Sequence, residues 1–297
     1  MSEHSIETDG ATITYDVHPA RDGSIRRPPL VMVGQPMTAE GFGALAARFG
    51  ERTVVTYDPR GLGRSRRHDG RMTQDPVVQA GDVLAVIGAV ADGPVEVFAS
   101  SGGAVTALAL VERHPDAVST LVAHEPPLVR VLPDAEQAER ALLRVREAYL
   151  ARGRWHGMAA FLAMTAWQGP FDERFAGQPV PDPSAFGMPG DDDGARDDEL
   201  LSDRGAAVTT YLPDAPALQA AATRVVVAVG AESAGTFTGR TSEATAEPAR
   251  PAGDGLPQPP RRVPRPGDRL RRRPRRVRRA AARGARRRGV AVRRGRR

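Results

Sequence analysis

VEVFASSGGAVTALAL, running from Val95 to Leu110, decides how this chain is read. A strand-like run ends at Ala99, two serines and two glycines follow, and a helix-forming run starts at once. A side chain carried on such a strand–turn–helix elbow sits on strained backbone torsions. The residues two before and two after it must be small for the turn to close. With Ser101 at the apex those residues are Ala99 and Gly103, and both fit. With Ser100 at the apex, Phe98 occupies the tight position. Ser101 is therefore the candidate nucleophile. The plainer reading is an ordinary βα turn whose Ser and Gly serve as helix N-cap residues.

Working outward, strands and helices alternate over the first 130 residues. Ala11 to Val17 alternates as a half-buried strand should, and Leu30 to Val33, Thr53 to Tyr57, Val95 to Ala99 and Val118 to Ala123 are short β-rich runs. Thr38 is placed to cap a helix whose Phe42, Leu45, Ala46 and Phe49 fall at helical spacing. Asp75 then Pro76 make an N-cap and first-turn pair for a helix carrying Val77, Leu84, Ile87 and Val90. Such alternation predicts a parallel sheet covered on both faces. Between Asp134 and about Ala215 no strand candidate occurs, and helices are expected over Ala135–Ala151, Trp155–Gln168 and near Asp197–Thr209. RVVVAV, Arg224 to Val229, resumes the sheet.

Two more motifs precede the elbow: VGQPM at Val33–Met37 and TYDPRGLGRS at Thr56–Ser65. With the elbow they make the chain resemble the α/β-hydrolase superfamily, in particular its small members with a helical cap, over about residues 5–245. Asp58, Arg60, Gly61, Gly63 and Ser65 match a DxRGxGxS pattern, which the resemblance implies to be loop-shaping. Gly34, Gln35 and Pro36 match the oxyanion turn, with Val33 where the family usually has histidine. Pro36 has no N–H, so the implied oxyanion donors are the backbone N–H groups of Gly102 and Gln35. The implied fold is a mostly parallel sheet with helices on both faces and a helical cap. The expected divisions are a core at 1–133, a cap at 134–215, the core continued at 216–247 and a tail at 248–297.

The implied chemistry is acyl transfer, with Ser101 attacking a carbonyl and a histidine moving the proton. Glu232, directly after RVVVAV, is the first choice for the acid that orients the histidine, and Glu125 in AHEPP is the runner-up. Chain order in this family runs serine, acid, histidine. The six histidines are His4, His18, His68, His114, His124 and His156, so none follows Glu232. Asp191, Asp192 and Asp193 lack the spacing of a metal site and read as a solvated loop, and Gly61-Leu62-Gly63 lacks the rest of a dinucleotide motif. Neither a cofactor nor a metal is expected.

Every basic side chain is arginine, and lysine and asparagine are absent. From Pro248 onward there are 20 Arg against Asp254 and Asp268, a net of +18, while the first 247 residues carry 22 Arg against 34 acids, a net of −12. Lysine and asparagine both use codons beginning AA, so their absence points to a GC-rich gene. In such a gene a shifted frame yields Arg, Pro, Gly and Ala, which is the composition of the tail. Read from the second base of each codon, one synonymous spelling of Leu256–Pro264 gives Phe-Pro-Ser-His-His-Gly-Gly-Phe, similar to the family's histidine loop. The same shift over Pro274–Ala285 permits an amphipathic last helix. The tail is accordingly expected to be out of frame and disordered, with the last strand, last helix and catalytic histidine missing.

Three functions follow as expectations: a serine hydrolase of small-molecule esters or related acyl compounds, impaired in this chain; a non-catalytic ligand-binding protein on the same fold; or nucleic-acid binding through the basic tail. The tail has no aromatic residue to stack on bases, so it would bind by charge alone and non-specifically. The chain lacks cysteine, a disulfide framework and an apolar run of the ~18 residues a membrane span needs, and it starts acidic and polar. A cytoplasmic protein is expected.

Overall fold

The computed structural model describes residues 1–21, 27–247 and 291–294, the last four by their backbone. Among the described residues nine strands form one sheet: β1 (Ser2–Thr8), β2 (Ala11–His18), β3 (Leu30–Gln35), β4 (Val54–Tyr57), the two-residue β5 (Arg66–Arg67), β6 (Val95–Ser101), β7 (Val118–His124), β8 (Arg224–Val229) and β9 (Ala291–Arg294). Their order is β1-β2-β4-β3-β6-β7-β8-β9, with β5 paired to β2. β1 and β2 are antiparallel, and from β4 across to β9 every pairing is parallel. The α-helices are α1 (Gly43–Ala46), α2 (Pro76–Val90), α3 (Gly102–Arg113), α4 (Ala135–Arg152), α5 (Arg154–Ala166), α6 (Glu173–Ala176), α7 (Ala206–Thr209), α8 (Ala215–Ala220) and α9 (Phe237–Ala246).

The expected parallel sheet is present because its central strands are apolar on both faces. β3 is buried along its whole length, and α3 contributes an unbroken buried run from Gly102 to Val111. Burying this surface supplies the main favourable term, at roughly 25 cal/mol per Å2. α2 starts as its sequence requires, with Asp75 accepting a hydrogen bond from the Val77 N–H at 2.8 Å and Pro76 in the first turn. The helix expected after Thr38 is instead a 3₁₀ turn at Ala39–Phe42 followed by α1. The Thr38 side chain does not cap it; the Ala39 N–H donates to Asp58 Oδ1 at 2.9 Å.

Residues 134–215 contain no strand, and a separate apolar cluster holds α4 and α5 together through Ala138, Val145, Tyr149 and Met164. Gly153, at φ 86°, breaks these two helices apart. The helix expected over Asp197–Thr209 shrinks to a 3₁₀ turn at Asp203–Gly205 and α7. Here Asp198 accepts from the Leu200 and Leu201 N–H groups and Ser202 accepts from the Arg204 N–H, so side chains take donors a helix would use. This segment is tied to the sheet layer by a buried ladder. The Gln74 N–H donates to the Arg204 carbonyl at 2.7 Å and its side-chain amide to Glu199 at 2.7 Å. The Gln79 amide donates to Gln74 at 2.6 Å, and the Thr106 hydroxyl to Gln79 at 3.3 Å. A second tie joins Asp134 to Arg240, whose guanidinium also donates to the Gly169 carbonyl at 2.9 Å.

Beside β8 the structure differs from the expectation of a missing last strand. Ala291–Arg294 pairs with it in parallel, Val226 opposite Ala291 through Val229 opposite Arg294. The outer edge of β8 offers unpaired backbone groups, and Gly289 to Val292 is the apolar, β-branched stretch of the tail. The rest of the expected tail, including the place of a last helix, lies outside the described residues. Among the described residues no helix is long and apolar enough to cross a membrane.

Candidate active site

β6 runs to Ser101 and α3 begins at Gly102, with no residue between them. Ser101 has φ 56° and ψ −130°, torsions that a side-chain-bearing residue rarely adopts, and its side chain is exposed. The small neighbours demanded by the turn have a direct measure. A Cβ added to Gly103 would fall 2.7 Å from Gly34 Cα and closer still to the Val33 carbonyl oxygen. One added to Gly102 would lie 2.9 Å from both Gln35 Cγ and the Gln35 carbonyl oxygen. Ala99 is fully buried.

Gln35 stands opposite Ser101 in the β3–β6 register, so the elbow and the Gly34–Pro36 turn meet at one sheet edge. Ser101, Gly102 and Gln35 are therefore brought together. The turn is backed by the Asp58–Ser65 loop. Asp58 accepts from the Ala39 and Arg64 N–H groups and from Arg64 Nε at 2.8 Å. Burial pushes its carboxyl up, but these donors outweigh that and hold it below the usual range. Arg60 makes a two-pronged pair with Asp82, at 2.6 Å through Nε, and both are buried. Ser65 donates to the Asp58 carbonyl at 2.6 Å and accepts from the Thr14 N–H. The loop residues shape the backbone, as the DxRGxGxS resemblance implies.

The two carboxylates stand at the same edge but in different settings. A Cβ on Gly230 would meet Glu125 Oε1 at 3.2 Å and Glu232 Oε2 at 3.7 Å, so both groups flank that glycine. Glu125 directly follows β7 at φ 50°, a left-handed conformation just before Pro126. Its Oε1 accepts from the Gly230 N–H at 2.9 Å and its Oε2 from the Thr238 hydroxyl at 2.8 Å. Burial raises its pKa, but hydrogen bonds from Ser233, Gly230 and Thr238 outweigh this and leave it lowered. Glu232 lies in a 3₁₀ turn and is exposed; among the described residues its carboxylate has no hydrogen-bond or ion-pair partner.

The histidines divide sharply. His124 sits at the end of β7 opposite Ser100, its Nδ1 3.1 Å from the Ser100 hydroxyl and its Nε2 3.9 Å from Glu125 Oε1. His114 caps the far end of α3, and His156 contacts the Arg152 carbonyl on the cap. The donors Ser233 and Thr238 were not singled out in the sequence, where they resemble any hydroxyl pair of a loop. Among the described residues no group of three or more His, Asp and Glu is arranged to hold a metal ion.

The sequence model of the alpha/beta hydrolase fold family matches residues 39–154. An uncharacterized hydrolase of Bacillus subtilis (strain 168), YraK, is 33% identical over 144 residues, 47% of this chain; the match spans 51%, about half, of that relative's length. An α/β hydrolase from Sphaerobacter thermophilus aligns at 21% identity and TM-score 0.53, covering 82% of this chain and 88% of that one. A thermophilic esterase from Thermogutta terrifontis, malate bound, aligns at 18% and 0.53, covering 83% and 86%. The enol-lactonase from Burkholderia xenovorans LB400 aligns at 18% and 0.54, covering 82% and 86%. These structural likenesses, at low identity, speak for the fold. Joined to the strand order, the elbow at Ser101 and the family match over residues 39–154, they lead to one statement: the chain has the α/β-hydrolase fold.

Proposed function

We propose that this chain is a serine hydrolase acting on a small-molecule ester or a related acyl compound, in a cytoplasmic setting. The observation that carries the reading is Ser101 itself: exposed, on strained torsions, at the joint of β6 and α3. Ser101 Oγ attacks the carbonyl carbon and forms the new C–O bond, while the N–H groups of Gly102 and Gln35 take the developing oxyanion. Collapse of that intermediate breaks the bond to the leaving oxygen, which takes up the proton lost by Ser101, carried by water because no histidine follows Glu232. A second water then hydrolyses the acyl-enzyme to the free acid and Ser101. Glu232 is the acid of this scheme. The ester class is supported by the esterase and enol-lactonase among the structural likenesses. No cofactor enters the scheme, and the arginine-rich tail touches nucleic acid at most non-specifically.

No histidine follows Glu232, so the chain as it stands is a poor catalyst in this reading. Loss of the general base lowers kcat by roughly 10⁴–10⁶ in triad enzymes. The same observation favours, as a second reading, a ligand-binding protein in which Ser101 does not turn over. A fluorophosphonate separates the two. Labelling of the full chain, abolished in Ser101→Ala, supports the hydrolase; no labelling of either protein supports the binder. Hydrolysis of p-nitrophenyl acetate should rise by several orders of magnitude when the alternative frame is restored after Glu247. Equal rates in the two chains would sink the assignment of impairment.

A further inference from the structure

The cap carries a cleft that the proposed chemistry does not use. It lies between α4, α5 and the segment at residues 200–210, and its volume is about 200 Å3. Leu142, Leu143, Phe161, Leu200 and Ala206 form its walls, and none of Ser101, Gln35, Gly102, Glu125 or Glu232 lines it. Leu143 is 46% exposed and Leu200 37% exposed, so large apolar side chains face an opening that nothing in the described residues fills. Covering such surface is favourable at roughly 25 cal/mol per Å2.

The polar groups of the cleft decide what can enter. Glu139 is paired with Arg130 at 3.1 Å, and Arg146 is paired with Asp203. The Thr209 and Thr210 hydroxyls donate to the Ala206 carbonyl, and Ser202 Oγ accepts from the Arg204 N–H. Each charge already has its counter-charge and each hydroxyl its backbone partner. A charged ligand would have to break a pair to be held, whereas a neutral apolar one would not. The volume also bounds the guest, since an apolar cavity of about 150 Å3 is large enough to bind benzene.

We propose that this cap cleft is a second binding site, for a neutral, apolar small molecule the size of a single aromatic ring with a short alkyl substituent. It stands apart from the elbow and does not depend on the hydrolase reading.

Toluene is the probe, with benzoate as its charged counterpart, titrated into the full chain by saturation-transfer NMR and by thermal unfolding. Saturable toluene binding with a rise in Tm, and no such response to benzoate, is the expected result. Ala206 is exposed, so Ala206→Phe fills the cleft from its rim and should weaken toluene binding at least tenfold. Leu143→Gln, also at an exposed position, makes one wall polar and should weaken it several-fold without filling the space. Circular dichroism of both variants checks that they fold. Absence of toluene binding to the parent chain overturns the proposal, and so does binding unchanged in both folded variants. Equal binding of benzoate overturns the neutral chemistry assigned to the guest.

Discussion

On the β1–β2–β4 flank of the sheet the outermost strand is polar, SEHSIET, and the charges beneath it are locked in pairs: Arg60 with Asp82, Arg64 with Asp16 and Asp58. On the opposite flank β8 reads RVVVAV, mostly buried, and its outer edge meets only the four residues of β9 among those described. One flank is finished by electrostatics and the other by apolar burial. A polar edge strand discourages pairing with other chains, whereas an apolar one invites any strand-forming segment within reach. The difference teaches that the elbow, lying between the flanks, is fastened from the β4 side by charge and from the β8 side by packing and one carboxylate.

The comparison breaks most directly at Asp82. Asp82→Ala takes the close two-pronged partner from the buried Arg60 guanidinium, leaving it Asp69 and the Asp9 carbonyl at longer range, and should cost about 3 kcal/mol in urea unfolding. A loss below about 1 kcal/mol would mean the β4 flank is not held by charge. On the other flank Val227, fully buried in β8, should lose about 2–3 kcal/mol on Val227→Ala, a transfer-plus-cavity cost. That loss should not change with added salt. A strong salt dependence would remove the contrast.

Glu125→Gln sharpens that carboxylate's part in fastening the β8 side, at about 1–2 kcal/mol near neutral pH because charge-assisted bonds to Gly230 and Thr238 become neutral ones. The folded pKa of Glu125 is depressed, so its stabilisation is present above its unfolded pKa and is lost as pH falls through the folded value. The gap between parent and variant should therefore be open at pH 6 and close as the solution is acidified below about pH 4. A gap independent of pH would deny the carboxylate its role. Smallest is Asp75→Ala, which removes the α2 cap and should cost about 1 kcal/mol by chemical unfolding.

Much of the elbow flank could be read from residues alone, because its constraints are local. Ala99 and Gly103 flank Ser101 at fixed spacing, Asp75-Pro76 opens a helix, and the Asp58–Ser65 loop carries its glycines at the positive-φ positions Gly61 and Gly63. β1 escaped notice because an exposed edge strand needs no apolar alternation; pairing with β2 makes it a strand. α9 escaped because Phe237–Ala246 is rich in Gly, Ser and Thr, poor helix formers. It is held by tertiary contacts, including the Thr241 hydroxyl on the Pro126 carbonyl at 2.6 Å. The left-handed turn at Glu125 has no sequence signature, since a glutamate before proline is expected to be extended.

The buried glutamine ladder has a spectroscopic consequence. With no asparagine in the chain, the side-chain amide region of a proton–nitrogen correlation spectrum contains the signals of eight glutamines only. Gln74 and Gln79 are 1% exposed, and each donates through its amide to a fixed acceptor, Glu199 and Gln74 respectively. Their paired resonances should stand out from those of solvent-facing glutamines and exchange slowly with water. Because Glu199 and the Arg204 carbonyl belong to the cap segment while Gln79 and Thr106 belong to α2 and α3, a change in how the cap seats would register on these two signals without any label being introduced.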